Sequence, residues 1–567
     1  MKKLVAFLLA LLLLVAPVSA FAQNTDTPPR SIIDRFSDRR QIMLTPQARD
    51  IALADFDYLV EKILDVAPTV NILARRVQAS AEEYFALYRA LIYDKTPLPS
   101  LLSFIEPERW VNEPDCYLYI AADYMYTLLS IISEELGGLG HFSVLQHDVA
   151  EQLFFAAAYM MQRGEIYISP GNFAFYRAMG FGREEVIRAV DAMYRFQELH
   201  YAIYSTPSVL WFYDITPDEI DFDVDIGDVI GFRYDDNIVT EILEAGHVAY
   251  MRITSFMNNI GHDFDVLLPF YQEIQGFEHL IIDLRGNGGG WTSSFPENIL
   301  EMLISDQLVY THYELFIANE RTNDFFENPS GMTGGFLQAI YPIADFLDSR
   351  DMDQFCENDA ELLDYVIVWR VVFMPYRNNV PFDGKVWMLV DEDSASATEM
   401  AAQIAINTGF ATVVGAPTAG VTSVLYTFAA LPNTGILFRI DLGYTVDAYG
   451  RSIEEFGVVP QVQNAPGYCA LETVLAIIAG EQLLTPPTLY NHATHRFVDG
   501  QGFISVRFLA ETADGFSVTW DGVNNSVIVT SADGSYWVLA MSEGGMFNDN
   551  GTVFIPDEMA LQIFGDI

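Results

Sequence analysis

The sequence is poor in cysteine: only Cys116, Cys356 and Cys469 occur among 567 residues. They lie far apart and lack the short spacings of zinc ligands, so they do not indicate a metal site. At most one disulfide could form, and we expect three unpaired, buried side chains, as is common for free cysteine. None of the nine histidines forms an H-x-x-x-H pair backed by an acid on a helix. The sequence therefore predicts neither a metal centre nor a cofactor.

Positive charge is also scarce. Against 77 Asp and Glu stand only 30 Lys and Arg, which gives a formal net charge of −47 at pH 7. A surface this acidic repels nucleic acid and anionic lipid, and we therefore expect neither as a partner. Apolar residues make up 51% of the chain, enough to bury more than one core, which argues against a disordered protein.

Long apolar runs are confined to the N-terminus. Lys2 and Lys3 precede an apolar stretch at 4–15, and Ala20-Phe21-Ala22 has the small-x-small pattern of a cleavage site. This arrangement predicts a signal peptide over residues 1–22 and a secreted, extracytoplasmic protein. No later stretch reaches the roughly 18 apolar residues that a membrane span requires, so none is expected.

The remaining chain divides by pattern. Residues 23–145 form a mostly helical N-terminal domain, since apolar residues recur three and four positions apart and a glycine-rich turn precedes His141. Residues 146–245 are a mixed connecting region. Residues 246–484 alternate strands and helices, which predicts an α/β core with parallel strands joined by crossovers.

Two further segments complete this α/β, multidomain (α+β) organisation. An acidic, aromatic-rich stretch at about 320–380 interrupts the core, and we interpret it as an insertion. Residues 491–567 predict a small C-terminal α+β module, because two alternating stretches at 516–520 and 526–530 flank a turn and form a hairpin pattern.

The first candidate for chemistry is the glycine-rich segment Asp283 to Gly290, which follows a short apolar strand at 279–284. Glycines let backbone N–H groups approach a ligand, and in a peptidase those of Gly288 and Gly289 would stabilise an oxyanion. A plain tight turn would use the same glycines. A phosphate loop is not favoured, because the Gly-Lys-Ser/Thr ending is missing.

The second candidate is the serine pair Ser394 and Ser396, between a predicted strand at 385–390 and a predicted helix at 396–407. A serine at a strand-to-helix turn projects its hydroxyl over the sheet edge, and the next backbone N–H, that of Ala397, can then bind an oxyanion. The helix N-terminus adds a partial positive charge. Simple helix capping would also explain a serine here.

Together these elements resemble the serine peptidase family of the C-terminal processing proteases, the tricorn core and the interphotoreceptor retinoid-binding protein. Asp283 to Gly290 resembles its Asp-x-Arg-x-Asn-x-Gly-Gly stretch, and Ser396 to Glu399 its Ser-Ala-x-Glu stretch. Residues 413–420 and 453–460 resemble its Val-Gly-x-x-Thr-x-Gly and Glu-x-x-Gly-Val-x-Pro stretches. The resemblance implies a crotonase-like α/β peptidase core, a peptide or protein substrate, and Ser396 rather than Ser394 as the nucleophile.

The resemblance also bears on the catalytic base. One branch of the family uses a lysine after the Thr-x-Gly stretch, but no lysine follows Lys385 here, which excludes that dyad in its usual topology. The tricorn-like branch uses a histidine well before the sheet. Gly140-His141 resembles that segment, with Gly140 where the branch often has serine. His141 is thereby implied as the base, with His147 as its main rival.

A glutamate completes the set that the resemblance implies. Glu454 precedes the Gly-Val-x-Pro residues and would orient the imidazole or polarise a linking hydroxyl or water, with Glu455 as the alternative register. His247 and His279 lie within predicted strands, and we interpret them as packed or surface residues.

The C-terminal residues carry a second resemblance. Phe503 to Glu511 and the predicted hairpin resemble the small domain named after the copper amine oxidase N-terminus. This implies a stalk or adhesion module that associates with the cell envelope, without copper. The alternative to a peptidase is a non-catalytic protein that uses the same fold to bind peptides or apolar ligands.

Overall fold

The computed structural model describes most of the chain after the predicted signal peptide, which itself lies outside the described residues. Apart from short gaps, the described ranges are 39–102, 116–135, 140–163, 200–217, 237–319, 337–481 and parts of 495–559.

The N-terminal part is helical, as its apolar periodicity predicts. Thr45 caps the first helix by accepting a hydrogen bond from the Ala48 N–H (3.2 Å), and Ser80 and Glu83 form a capping box on the third. The elements are β1 (Gln41–Ile42), α1 (Pro46–Val66), α2 (Val70–Val77), α3 (Ala81–Tyr93), β2 (Leu98–Pro99), α4 (Cys116–Glu135), β3 (Ser143–Val144), α5 (His147–Arg163) and α6 (Pro207–Phe212).

Helix α4 is the one described helix that is long and apolar enough to cross a membrane, over Cys116–Ser133. Within the protein, however, 61% of that window is buried, and its side chains join those of α1 and α3 in one core. Burial of this extent is typical of the central helix of a folded domain.

A mixed six-stranded sheet forms the centre of the α/β core. Its order is β15-β11-β10-β6-β5-β4, and all neighbouring pairs are parallel except β4 with β5. The strands are β4 (Ile238–Glu244), β5 (Val248–Ile253), β6 (His279–Asp283), β10 (Lys385–Val390), β11 (Thr412–Gly415) and β15 (Val462–Gln463).

Helices cover both faces of this sheet, which explains why its inner strands are apolar runs rather than alternating ones. Ile282 and Met388 pack beneath one layer of helices, whereas Ile281 and Trp387 face the other layer. The helices of the core are α7 (Ile260–Glu273), α8 (Glu301–Leu303), α9 (Ile343–Asp348), α10 (Ala397–Thr408), α11 (Ile453–Phe456) and α12 (Ala470–Ile478). The α/β fold class is thereby confirmed.

A second sheet includes strands from the stretch that we interpreted as an insertion at about 320–380. Its order is β14-β7-β9-β8, all antiparallel, and β9 pairs with β7 along its whole length, from Phe316–Tyr365 to Leu308–Phe373. The strands are β7 (Leu308–Phe316), β8 (Leu337–Pro342), β9 (Tyr365–Phe373) and β14 (Gly443–Val446). The described residues of the stretch at about 320–380 thus supply β8 and β9 of this sheet.

A third, three-stranded sheet joins the N-terminal part to the core. Its order is β12-β13-β3, where β12 spans Tyr426–Ala430 and β13 spans Leu437–Asp441. In the β3–β13 pair, Val144 lies opposite Phe438 and Ser143 lies opposite Arg439. Continued by two residues, this antiparallel register places His141 opposite Asp441.

A buried carboxylate of α1 fixes this sheet against the helices. Asp55 accepts hydrogen bonds from the N–H groups of Asn433 (3.0 Å) and Thr434 (2.9 Å) and from the Thr434 hydroxyl (2.6 Å), all in the turn between β12 and β13. Arg75 on α2 makes a further link, through ion pairs with Asp359 (2.7 Å) and Glu455 (2.6 Å).

The C-terminal residues form two small antiparallel sheets, in the orders β16-β17-β22-β21 and β18-β19-β20. The hairpin expected from the sequence is β18 with β19, in which Asp521 pairs with Ser526. The strands are β16 (His495–Val498), β17 (Gln501–Ser505), β18 (Ser517–Asp521), β19 (Ser526–Thr530), β20 (Tyr536–Ala540), β21 (Phe547–Asp549) and β22 (Thr552–Pro556).

The cysteines differ from expectation in one respect. All three are free, as predicted, but none is buried: Cys116 and Cys469 are exposed and Cys356 is intermediate. Cys116 and Cys469 stand at the starts of α4 and α12, and helix ends lie at the surface more often than helix centres do.

Candidate active site

Ser396 occupies a strained turn between β10 and α10. Its backbone has φ +56° and ψ −117°, a conformation that a residue with a Cβ adopts only at an energetic cost. Serine nucleophiles of α/β hydrolases stand on strand-to-helix turns of this kind, which lift the hydroxyl above the sheet. The strain is therefore informative about function, because a capping serine does not need it.

The neighbouring serine has a different environment. The Ser394 hydroxyl donates to the Leu284 carbonyl (3.1 Å) and accepts from the Asp391 N–H (3.0 Å). These bonds anchor the turn to the adjacent strand, so Ser394 has a structural use. The Ser394 hydroxyl is thus occupied by backbone partners.

The glycine-rich segment after β6 supports the Ser396 turn from below. The Asn287 carbonyl accepts from the Ala395 N–H (3.1 Å), and the Asn287 side chain donates to the Ile253 carbonyl (3.1 Å). Gly289, at φ +96°, lies so close that an added Cβ would stand 2.7 Å from that of Ser396. Only glycine allows the two turns to approach in this way.

The acidic start of this segment braces it internally. Asp283 is fully buried and accepts from Arg285 Nη2 (2.6 Å) and from the Tyr250 hydroxyl (2.8 Å). Because a buried carboxylate without partners would be costly, the arginine two residues later compensates it within the same turn. The Asp-x-Arg pattern is therefore a structural brace.

The three expected oxyanion donors differ in whether their N–H groups already have a protein acceptor. The Gly289 N–H donates to the Asn287 side-chain oxygen (2.9 Å), so it is already used. Among the described residues, no protein acceptor takes the N–H groups of Gly288 and Ala397. These two donors, on either side of Ser396, remain as candidates, and Gly289 serves by permitting close approach.

His141 reaches this turn from the N-terminal part of the chain. Its Nε2 lies 3.3 Å from the Ser396 hydroxyl oxygen across 255 positions of sequence, and the histidine is only 5% exposed. This distance is at the long end of hydrogen bonding, which is common before a substrate closes the site. The structure thus places the His141 ring beside the Ser396 hydroxyl. His147 begins α5 and packs against the Tyr213 ring instead.

An aspartate that we did not predict orients the imidazole. Both carboxylate oxygens of Asp441 lie 3.2 Å from His141 Nδ1, and Oδ2 also accepts from the His141 backbone N–H (2.6 Å). With Nδ1 donating to Asp441, the lone pair of Nε2 faces Ser396. Serine, histidine and aspartate thus form a chain of contacts with the geometry of a catalytic triad.

Gly140 makes this arrangement sterically feasible. It has φ +64°, and a Cβ at this position would stand 2.3 Å from Asp441 Oδ2. A serine here, as is frequent in the tricorn-like branch, would collide with the carboxylate. The position of Asp441 beside His141 therefore requires glycine at residue 140.

The expectation that Glu454 orients the imidazole does not match these contacts. Glu454 is fully buried and accepts from the Thr445 N–H (2.8 Å), the Thr445 hydroxyl (2.7 Å) and the Thr422 hydroxyl (2.9 Å). Both ring nitrogens of His141 already face other residues. Burial raises the pKa of Glu454 to about 8, against the effect of its hydrogen bonds. The alternative, Glu455, pairs with Arg75.

A second buried glutamate holds the start of α10. Glu399 accepts from the Ser396 N–H (2.9 Å), the Thr418 hydroxyl (2.5 Å) and the N–H groups of Gly420 and Val421 (both 2.7 Å). It thereby joins the Ser396 turn to the Thr-x-Gly loop. Burial raises its pKa to about 7.

Arg439 is a fully buried cation next to Asp441. Its guanidinium lies 3.7 Å from the Tyr426 ring centre, and Nη2 is 3.9 Å from Asp441 Oδ1. Among the described residues, no acceptor makes a hydrogen bond with its guanidinium nitrogens. Burial lowers the pKa of His141, the Arg439 charge lowers it further, and Asp441 opposes both effects. The balance favours a neutral imidazole near neutral pH.

Sequence reasoning missed Asp441 and Arg439 although the sequence holds a signal for both. They alternate with apolar residues in Leu437-Phe438-Arg439-Ile440-Asp441, so they share one face of a strand. Two opposite charges on one face of an otherwise apolar strand predict a buried ionic site rather than a solvent-exposed face.

Fold and site together define a class. The site has the parts of a serine-type hydrolase centre: a strained serine after a parallel strand, an imidazole facing its hydroxyl and a carboxylate behind the imidazole.

Residues 247–464 match the sequence profile of Peptidase family S41. This segment, rather less than half of the chain, is therefore similar to that peptidase family. His141 lies outside the matched residues, whereas Ser396 and Asp441 lie within them.

Solved structures that resemble the chain share little sequence with it. A peptidase candidate from Parabacteroides merdae is 14% identical (TM-score 0.33, covering 65% of this chain and 83% of that one). The photosystem II D1 C-terminal processing protease is 18% identical, with a TM-score of 0.26, and the match covers 41% of this chain and 49% of that one. Mature CPAF complexed with lactacystin is also 18% identical, with a TM-score of 0.29, and the match covers 41% of this chain and 50% of that one. The chain thus spans about half the length of the latter two proteins. No curated protein sequence matches the chain.

The charge of Arg439 yields a testable pH dependence. In Arg439→Met, loss of the positive charge raises the pKa of His141, so a higher pH is needed to keep the imidazole neutral. The acidic limb of the rate at which a fluorophosphonate labels Ser396 is therefore expected to move to higher pH. Arg439→Lys, which retains the charge, should restore most of the wild-type profile.

The control for this experiment is Lys385→Met, which removes a cation at the opposite end of the sheet. Its profile should coincide with that of the wild type. An unchanged acidic limb in Arg439→Met, in protein whose circular dichroism shows a native fold, would contradict the electrostatic role of Arg439.

Proposed function

We propose that the protein is an exported serine peptidase that hydrolyses peptide bonds through an acyl-enzyme on Ser396. The observation that carries this proposal is the 3.3 Å contact between the Ser396 hydroxyl and His141 Nε2, with Asp441 on the far side of the ring. A binding protein of the same fold would have no need for a strained serine against an oriented imidazole. Proximity of a nucleophile, a base and an orienting acid is the requirement of acyl transfer.

In the first step Ser396 Oγ attacks the carbonyl carbon of the scissile peptide bond, and its proton passes to His141 Nε2. The imidazolium that forms is stabilised by Asp441, which accepts from Nδ1. Burial and the Arg439 charge disfavour this imidazolium, so the carboxylate next to it is essential.

The negative charge that develops on the carbonyl oxygen requires donors near Ser396. The N–H groups of Gly288 and Ala397 are suited to this role, since neither is used within the described protein. Ala397 is the first residue of α10, so the partial positive charge of the helix N-terminus acts in the same place.

Collapse of the tetrahedral intermediate breaks the C–N bond, and His141 returns its proton to the leaving amine. Water then enters, gives a proton to His141 and attacks the acyl carbon. The bond from this carbon to Ser396 Oγ breaks, and His141 returns the proton to Oγ. His141 is the only proton carrier that this sequence of steps needs.

Within the family, we place the chain nearest the tricorn-like branch, because its base is a histidine and no lysine follows Lys385. It differs from that branch in having Gly140 and Asp441 in place of a serine and glutamate relay. Glu454 then acts on the scaffold: it holds Thr422 and Thr445 together below the site.

Export and substrate access form part of the same proposal. The signal-peptide pattern of residues 1–22 supports secretion to the cell envelope or beyond, where the partner would be a peptide or protein substrate. The C-terminal strands β16–β22 are proposed to serve as a stalk or adhesion module that associates with the cell envelope.

The direct test is fluorophosphonate labelling together with peptide hydrolysis. The wild-type protein should be labelled at Ser396 and cleave an unstructured protein substrate such as casein, whereas Ser396→Ala should lose both properties and retain its melting temperature. Ser394→Ala, the matched control, should still be labelled. A folded wild-type protein that resists labelling would instead support the binding protein.

Isosteric substitutions can distinguish the roles of Asp441 and Glu454. Asp441→Asn should lower kcat by about 10⁴-fold, the loss that the corresponding aspartate change causes in a serine protease, because the imidazole loses its correct tautomer. Glu454→Gln keeps the contacts to the threonine hydroxyls and should change kcat far less. The reverse order of effects would show that Glu454, not Asp441, orients His141.

A further inference from the structure

The end of the central sheet that lies opposite Ser396 carries a second cluster of functional side chains. His247 directly precedes β5, and Glu278 and His279 stand at the start of β6. The two strands are adjacent and parallel, and the His279 N–H donates to the His247 carbonyl (2.9 Å). Strand pairing therefore fixes the two histidines side by side.

The potential ligand atoms of this cluster are closely grouped. One nitrogen from each histidine and one carboxylate oxygen of Glu278 lie within 4.8 Å of one another. His247 Nε2 is 3.4 Å from Glu278 Oε2. Ligands of a tetrahedral zinc ion with bonds of about 2.0 Å stand about 3.3 Å apart, so this pair already has the required separation.

A second carboxylate sets the tautomer of His247. Glu244 Oε2 lies 3.0 Å from His247 Nδ1, at hydrogen-bond distance. If Nδ1 donates its proton there, the lone pair of Nε2 faces Glu278. A carboxylate behind a ligating histidine, on the side away from the metal, is the usual arrangement in zinc sites.

His279 lies beside His247, with the two ring centres 5.2 Å apart, and its Nδ1 is 3.4 Å from Trp387 Nε1, at the long limit of hydrogen bonding. Because a neutral imidazole has one nitrogen lone pair, metal binding by His279 would replace this weak contact. Lys385 stands nearby with its Nζ 3.7 Å from the Trp387 ring centre. The negative charges of Glu244 and Glu278 outnumber this single cation.

We propose that His247, Glu278 and His279 hold a divalent transition-metal ion, of which Zn²⁺ is the best match, with Glu244 as the carboxylate behind His247. Two imidazoles and one carboxylate favour zinc over magnesium or calcium, which prefer oxygen ligands. Both histidines are partly exposed, so the ion can enter from solvent and water can complete its coordination.

This site is independent of the proposed peptidase chemistry. His279 pairs with Lys385 at the start of β10, whereas Ser396 follows the end of that strand. The length of β10 alone separates the two ends by roughly 17 Å, at about 3.3 Å per residue. A bound ion would therefore stabilise the starts of β5 and β6 and would not contact the reacting groups.

The test is calorimetric titration of the full mature chain with Zn²⁺ at neutral pH, after its exposed thiols have been blocked with iodoacetamide. One equivalent should bind, and His247→Ala and His279→Ala should each weaken binding by about 10-fold or more, since even outer partners of a metal site contribute about 10–100-fold. Glu278→Gln should also weaken it. Zn²⁺ should raise the melting temperature of the wild type and not that of the two histidine variants.

The matched control is His262→Ala, which removes a partly exposed histidine on α7, outside the cluster. It should bind Zn²⁺ as the wild type does. Equal affinity in the wild type and in a His247→Ala/His279→Ala double variant, or no binding in either, would overturn the proposal. Fluorophosphonate labelling of Ser396 should be the same in all these variants, which keeps a failure here distinct from a failure of the peptidase.

Discussion

The site depends on the pairing of a two-residue strand, β3, with β13. This pair sets the register in which His141 lies opposite Asp441, and it brings a histidine from the helical part of the chain to a sheet formed some 300 positions later. Two residue pairs between β3 and β13 contribute little by themselves to holding the two parts of the chain together. Asp55, which holds the turn between β12 and β13 from α1, and Arg75, which bridges α2 to Asp359 and Glu455, fix the same two parts against each other. The catalytic geometry is thus a consequence of how the helical part packs on the core.

Several ionisable groups are buried around this pairing, and each needs polar partners. Asp441, Arg439, Glu399 and Glu454 are all inaccessible, and each carboxylate has partners suited to its place. Glu399 and Glu454 accept hydrogen bonds from backbone N–H groups and threonine hydroxyls, whereas Asp441 faces an imidazole and a guanidinium. Removal of one partner would leave the other unpaired in a low dielectric, so these groups stabilise one arrangement of the loops rather than simply adding stability.

Much of the fold and part of the site could be predicted from sequence. The buried strands β6 and β10, the crossover helix α10 and the helical N-terminal part follow from periodicity, and the turn at Ser396 follows from the strand-to-helix order. The neighbourhood of His141 and Ser396 came from resemblance rather than from spacing. The alternation in residues 437–441 indicates a buried ionic site, but it does not show that Asp441, at the end of β13, faces His141; that depends on the partner strand. The register of β3, a pair of residues with no pattern of its own, decides that.

The same limit explains the other differences. Glu454 has the sequence position of a relay acid but contacts Thr422 and Thr445, whereas Asp441 contacts the His141 ring. Within the stretch at about 320–380, β9 pairs with β7 across a long separation, which no local pattern reports. His247 and His279 looked like ordinary strand residues until the parallel pairing of β5 and β6 placed them together.

The central claim is that His141 is held by Asp441 as the tautomer with its proton on Nδ1, so that Nε2 is free to take the proton of Ser396. Nitrogen-15 NMR of histidine-labelled protein, with His141→Gln used to assign the signal, measures this directly. The account predicts a protonated Nδ1 and an unprotonated Nε2 for His141 at neutral pH. A proton on Nε2 with an unprotonated Nδ1 would contradict it.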